Sequence, residues 1–160
     1  MPDDLYTADI LLWSDQQADL LRRLARGERV NDAIDWDHVI EEVESVGRSE
    51  RHAVESLLTR AMEHLLKLHG WPDGPGGHWR HEARVFLSDA AARWTPSMRQ
   101  TIELALLYAT ARGLVSRMTV DERPPAPLPA VYPYTLDDLI VPRPAVADID
   151  ALLAHLTTGV

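Results

Sequence analysis

The chain has 160 residues, 46% of them hydrophobic, which is enough for one compact domain with a core. It has no cysteine, which excludes disulfides, thiolate catalysis, iron–sulfur clusters and cysteine-ligated zinc. Its 25 acids against 16 bases give a net charge of −9, so it would repel phosphate backbones and anionic lipid, and neither nucleic acid nor membrane is an expected partner.

The first residues, MPDDLYTADILLWSDQQ, lack the basic and long apolar regions of a secretory signal, and no apolar run approaches membrane-spanning length. A cytoplasmic location is the expectation. The first periodic segment is TADILLWSDQQADLLRRLARG, with Ile10, Trp13, Gln17, Leu20, Leu21 and Leu24 on one helical face. Thr7 is a candidate cap at its start, Gly27 a candidate left-handed terminus, and Arg22, Arg23 and Arg26 suit the negative end of its dipole.

A longer segment follows Asp35 and ends at Gly70. At about 100° per residue, Trp36, Ile40, Val43, Val54, Leu57, Leu58, Ala61, Leu65 and Leu68 form one stripe, and Gly47 and Glu50 interrupt it. Gly47 is expected either to break the helix, with Ser49 capping a fresh one, or to mark a close helix crossing. Glu50 is then expected to be at least half-buried and paired with a base from another helix, Arg80 or Arg84.

WPDGPGG, residues 71–77, is a turn rich in helix breakers. Trp79, Ala83, Phe86 and Ala90 then mark a helix over 78–93, and Thr95-Pro96 opens another. Between Pro96 and Met118 apolar residues occupy two faces: Met98, Ile102, Ala105, Leu106 and Ala109 on one, Leu104, Leu107, Ala111, Leu114 and Met118 on the other. A central position in a bundle explains this, with a subunit interface as the alternative. Residues 119–134 carry five prolines and read as an extended strap, Thr135 caps a short helix TLDDLI, and Ile149, Leu152, Leu153 and Leu156 mark one more.

The fold class that follows is all-α: four main helices in a bundle, the second long, with a Pro-rich C-terminal strap and short terminal helices. The expected organisation is a single helical-bundle domain over residues 1–141, strap included, then a tail over 142–160 holding a short amphipathic helix.

Several separated stretches in order, DLYTADILLWSDQQADLLR, Asp35-Trp36 leading to EEVESVGRSER, HLLK and PYTLDDLI, resemble the bacterial domain of unknown function 29 family over about residues 4–140. The resemblance implies an α-helical bacterial protein and carries no established activity. It singles out Trp13, Gln17, Trp36, Glu42, Glu44, Gly47, Arg48, Glu50, Arg51, His64 and Tyr134 as structural or site candidates. His78 and His81 match nothing in that pattern.

Candidate chemistry is sparse. There is no G-x-S-x-G, no HExxH and no paired ExxH, and GPGG lacks the lysine of a P-loop. Trp13, Trp36 and Trp79 fall on expected core faces rather than on a stacking platform. The leading reading is a helical protein without catalytic activity and without a cofactor, acting through contacts with itself or another protein. Two alternatives stand beside it. His64 with His78, His81 and Glu82 could ligate a divalent metal, although His64 and His69 diverge by about 140° on an ideal helix. Glu50 and Arg51 could line a small-molecule pocket.

Overall fold

The computed structural model describes residues 4–158, and among them the regular structure is helical, seven α-helices and two 3₁₀ turns. No helix of the described residues is long and apolar enough to cross a membrane. The chain groups into two compact units that divide between Ser49 and Glu50.

The N-terminal unit contains α1 (Leu5–Ala8), α2 (Ile10–Ala25), a 3₁₀ turn (Asn31–Ala33) and the first turns of α3 (Trp36–Gly70). Asp9, rather than Thr7, caps α2: its carboxylate accepts from the Leu12 amide at 3.0 Å. Gly27 leaves the helix at φ 87°, a conformation that only a residue without Cβ adopts freely. Among the described residues of this unit few are buried: Trp13, Gln17 and Ile34. Ile10, Trp36, Ile40 and Val43, expected in a core, are exposed. The stripe is real, but within this unit it is the opposite face of α3, carrying His38 and Glu42, that meets α1 and α2.

α3 runs through Gly47 without a break, and a Cβ built on Gly47 would meet open space. The glycine therefore marks neither a helix boundary nor a close crossing. Glu50 is also exposed rather than buried, and it pairs at 3.3 Å with Arg93, whereas Arg80 pairs with Asp150.

The second unit begins with the remainder of α3 and packs a dry core. Val54, Leu58, Ala61, Met62, Leu65 and Leu66 are fully buried at helical spacing. After the 71–75 turn, α4 (Gly76–Arg93) runs back along α3, as the pairs Glu50–Arg93 and His64–Phe86 require, and buries Trp79, Ala83, Leu87 and Ala90. The single helix expected over 96–118 is two pieces, a 3₁₀ turn (Pro96–Gln100) and α5 (Leu104–Val115). α5 is not covered from two sides: Leu104, Tyr108, Ala111 and Val115 are buried, and Leu106 and Leu114 are exposed.

The strap lies where a proline-rich segment must, against donors that satisfy its carbonyls. Trp71 Nε1 donates to Arg123, Tyr108 Oη to Pro129 and His69 Nε2 to Pro127, while the Ala126 amide donates to Gly70. Thr135 and Asp138 form a reciprocal capping box on α6 (Leu136–Leu139), and α7 (Ile149–Thr158) adds Ile149, Leu152 and Leu156 to the core.

The two glycines of α3 therefore predict opposite outcomes. Gly47→Ala, in an open helix interior, should raise stability by about 0.5–1 kcal/mol. A Cβ at Gly70 would stand 2.8 Å from the Pro125 ring, so Gly70→Ala should cost roughly 1–3 kcal/mol. Denaturant titration of each variant measures both, and a loss of stability in Gly47→Ala would mean that a neighbour does pack on that position.

Candidate functional site

The most connected set of polar side chains in the N-terminal unit is built around Asp35, the residue before α3. Its carboxylate accepts from Trp13 Nε1 at 3.0 Å and from His38 Nδ1 at 2.7 Å, and its amide donates to Gln17 Oε1 at 2.8 Å. Trp13 and Gln17 are four residues apart on α2, hence on one face. Asp35 thereby joins α2 to the start of α3.

His38 lies in the first turn of α3, stacked on Tyr6 of α1 with ring centroids 4.0 Å apart and planes 19° from parallel. Tyr6 also meets Trp13 edge to face at 4.9 Å, and its hydroxyl donates to Glu42 Oε1 at 2.6 Å. One helical turn separates His38 from Glu42, so a single face of α3 holds both the imidazole and the carboxylate that fix α1.

The electrostatics follow from these contacts. The Asp35 carboxylate holds the His38 imidazolium above its ordinary range, and the hydrogen bond from His38, with that from Trp13, holds the Asp35 carboxyl below its own. The bond to Glu42 pushes the Tyr6 phenol up to about 12. A carboxylate that orients an imidazole is also the arrangement of a general base. Here, however, the ring is covered by Tyr6, whose own proton is given to Glu42. Chemically the set is a clamp.

Opposite this clamp, α3 presents Trp36, Ile40 and Val43 to solvent, Ile40 at 53% and Val43 at 70% exposure, with Val46 beside them. At about 100° per residue, Asp37, Glu41 and Glu44 border that stripe on one side. Residues 1–49 carry twelve acids against five bases, so most of the chain's net negative charge belongs to this unit.

The remaining candidates are scattered. Glu44 and Arg48 form an exposed pair at 3.5 Å. Arg51 stands 3.6 Å from Glu55 and lines a surface cavity of about 310 Å³ with Thr101, Glu103, Leu106 and Leu107; Glu50 does not line it. His64 is half-buried against Phe86, its Nδ1 donates to the Arg60 carbonyl, and burial pushes its pKa down. His78 and His81 are exposed, and among the described residues no group of three or more histidines and carboxylates is placed to hold a metal ion. Tyr134 is buried between the rings of Tyr108 and His155. Sequence reasoning missed Tyr6 and His38, and it treated Asp35 as a helix start only; the Asp35, His38, Glu42 spacing of three and four was the available signal.

Sign and range of the pH effect are fixed by the two shifts. His38, raised, stabilises the folded unit below its unfolded value of about 6.5 and ceases to do so as pH rises through its folded value. Asp35, lowered, stabilises above about 3.9 and ceases to as pH falls through its folded value. The clamp should therefore be tightest between about pH 4 and 6.5. NMR titration of the His38 ring should give a pKa above 6.5 that returns to normal in Asp35→Asn; an unshifted imidazole in the wild-type chain would contradict the geometry.

The model of the family described as "Domain of unknown function DUF29" matches residues 5–143. Among solved structures, the chain is similar to an α-helical protein of unknown function from Rhodospirillum rubrum, at 29% identity and a TM-score of 0.66, over 94% of this chain and 96% of that one. No curated protein matches the chain.

Proposed function

Because the chain belongs to the family of the domain of unknown function DUF29, whose description carries no reaction, we propose a role from the surface itself: it acts without catalysis, in the bacterial cytoplasm, by docking another protein on the N-terminal unit. The occupant is a cationic amphipathic helix. One observation carries this reading: Trp36, Ile40 and Val43 stand at i, i+4 and i+7 in solvent, the spacing at which helices lay anchors into one another, beside a row of carboxylates.

A unit with three buried side chains among its described residues that leaves Ile10, Leu11, Leu12 and this stripe in water is poorly explained by its own stability. Burying the stripe against a partner helix would supply the missing apolar contact. Lysines or arginines flanking the partner's apolar face would meet Asp37, Glu41 and Glu44, which steer encounter and set orientation more than they add affinity. The clamp of Asp35, His38 and Tyr6 then serves this surface by holding α1 and α2 on the opposite side of the helix.

A synthetic 18-residue leucine/lysine amphipathic peptide is the probe, with a leucine/glutamate peptide of the same length as control. The lysine peptide should bind the wild-type chain and the glutamate peptide should not. Val43→Glu adds an attractive charge while removing an apolar anchor, so a loss of about tenfold or more in affinity identifies the stripe. Asp15→Asn, on α2 in the same unit, should change affinity less than about twofold. Unchanged binding by Val43→Glu would show only diffuse charge attraction and defeat the proposal.

A further inference from the structure

α5 leaves a second face in solvent, and its residues, with one flanking each end of the helix, are spaced symmetrically about Thr110, apolar matching apolar and acid matching base. Glu103, Leu106, Thr110, Leu114 and Arg117 follow one another at steps of three, four, four and three. Glu103 is the residue before α5 and Arg117 lies just past its C-terminal cap, while within the helix, at 100° per residue, Leu106, Thr110 and Leu114 fall within about 80° of arc, away from the buried Leu104, Tyr108, Ala111 and Val115. All five are exposed, Leu106 at 62% and Leu114 at 50%. Among the described residues neither Glu103 nor Arg117 has an ion-pair partner.

We propose that this face joins two copies of the chain in an antiparallel, two-fold symmetric dimer centred on Thr110. In that pairing Leu106 meets Leu114 of the partner subunit, and Glu103 meets Arg117 of the partner subunit, with both contacts repeated by the symmetry. Parallel pairing would instead set glutamate on glutamate and arginine on arginine, so the charges choose the direction. An unrelated partner would need no such symmetric spacing with opposite charges at its two ends. Gly113 borders the arc, and with no side chain there the helix leaves room for a second one at the usual 8–10 Å between axes. This surface is separate from the docking stripe of the N-terminal unit and does not depend on it.

The absence of cysteine makes the test direct. With axes about 8–10 Å apart and Cα atoms about 2.3 Å off each axis, facing residues at the two-fold come within disulfide reach. Thr110→Cys should therefore give a covalent dimer under mild oxidation, and Ser97→Cys, also exposed, should not. Sedimentation equilibrium supplies the second readout. Glu103→Arg and Arg117→Glu should each weaken the dimer about tenfold, because two pairs are lost and replaced by repulsion, and the double variant should return to within about threefold of wild type. All these positions are exposed, and circular dichroism checks that each variant keeps its helices. A strictly monomeric wild-type chain at about 0.5 mM, equal cross-linking of the two cysteine variants, or a double variant no better than the singles would each overturn the proposal.

Discussion

Asp35 decides which face of α3 turns inward in the N-terminal unit. It binds the indole of Trp13 and the imidazole of His38, and its backbone binds Gln17, so α2 can seat only where those three groups converge. A buried or half-buried carboxylate with several donors is costly to leave unpaired, which makes the arrangement directional in a way apolar contact is not. With the polar face of α3 committed to α1 and α2, its apolar face is left outside. The exposed stripe is thus a consequence of the clamp rather than a defect in packing.

The second unit is built on a different principle. Its core is dry and continuous, and polar groups matter at its margin, where the strap crosses. Proline removes amide donors from the strap but leaves every carbonyl, so the segment arrives with an excess of acceptors. The neighbouring elements answer with side-chain donors: Trp71 and His69 at the end of α3, Tyr108 and Arg112 on α5. Tyr108 is buried at its ring and bonded at its tip, and so ties the α5 core face to the strap in one residue.

Much of the helical fold was legible because its signals are local. Gly27 and Gly70 end helices, Thr135 caps one, and of the periodic residues from Val54 to Leu68 all but the partly buried Leu57 are buried, with Met62 and Leu66 added beside them. What covers a face is not a local property. The same period that buries Leu58 leaves Ile40 in water, and α5 keeps Leu106 exposed although its pattern resembles that of a helix covered on two sides. The break after Pro96 is hidden for a related reason: an N-cap and proline announce a helical start but do not say that the chain will pause at Thr101 to Glu103 before the next helix begins. His38 escaped notice because its significance lies in Tyr6, thirty-two positions away, and only the fold brings the two rings together.

The division of charge separates the two surfaces in kind. The N-terminal unit holds twelve of the acids and five of the bases, while the rest of the chain is nearly balanced at thirteen and eleven. A partner docked on the first surface as proposed would be selected by long-range attraction, which speeds encounter and fades with salt. The second surface carries one acid and one base, each seven positions from Thr110, so it offers no net charge to attract a general partner, and in the proposed dimer it would complement itself. A dimer formed through α5 would carry two copies of the acidic stripe. Any cationic partner with two helices, or two copies of one, would then be held with an effective concentration set by the linkage between its sites rather than by bulk concentration. On these terms a stripe of only three or four apolar side chains can support useful affinity without being large.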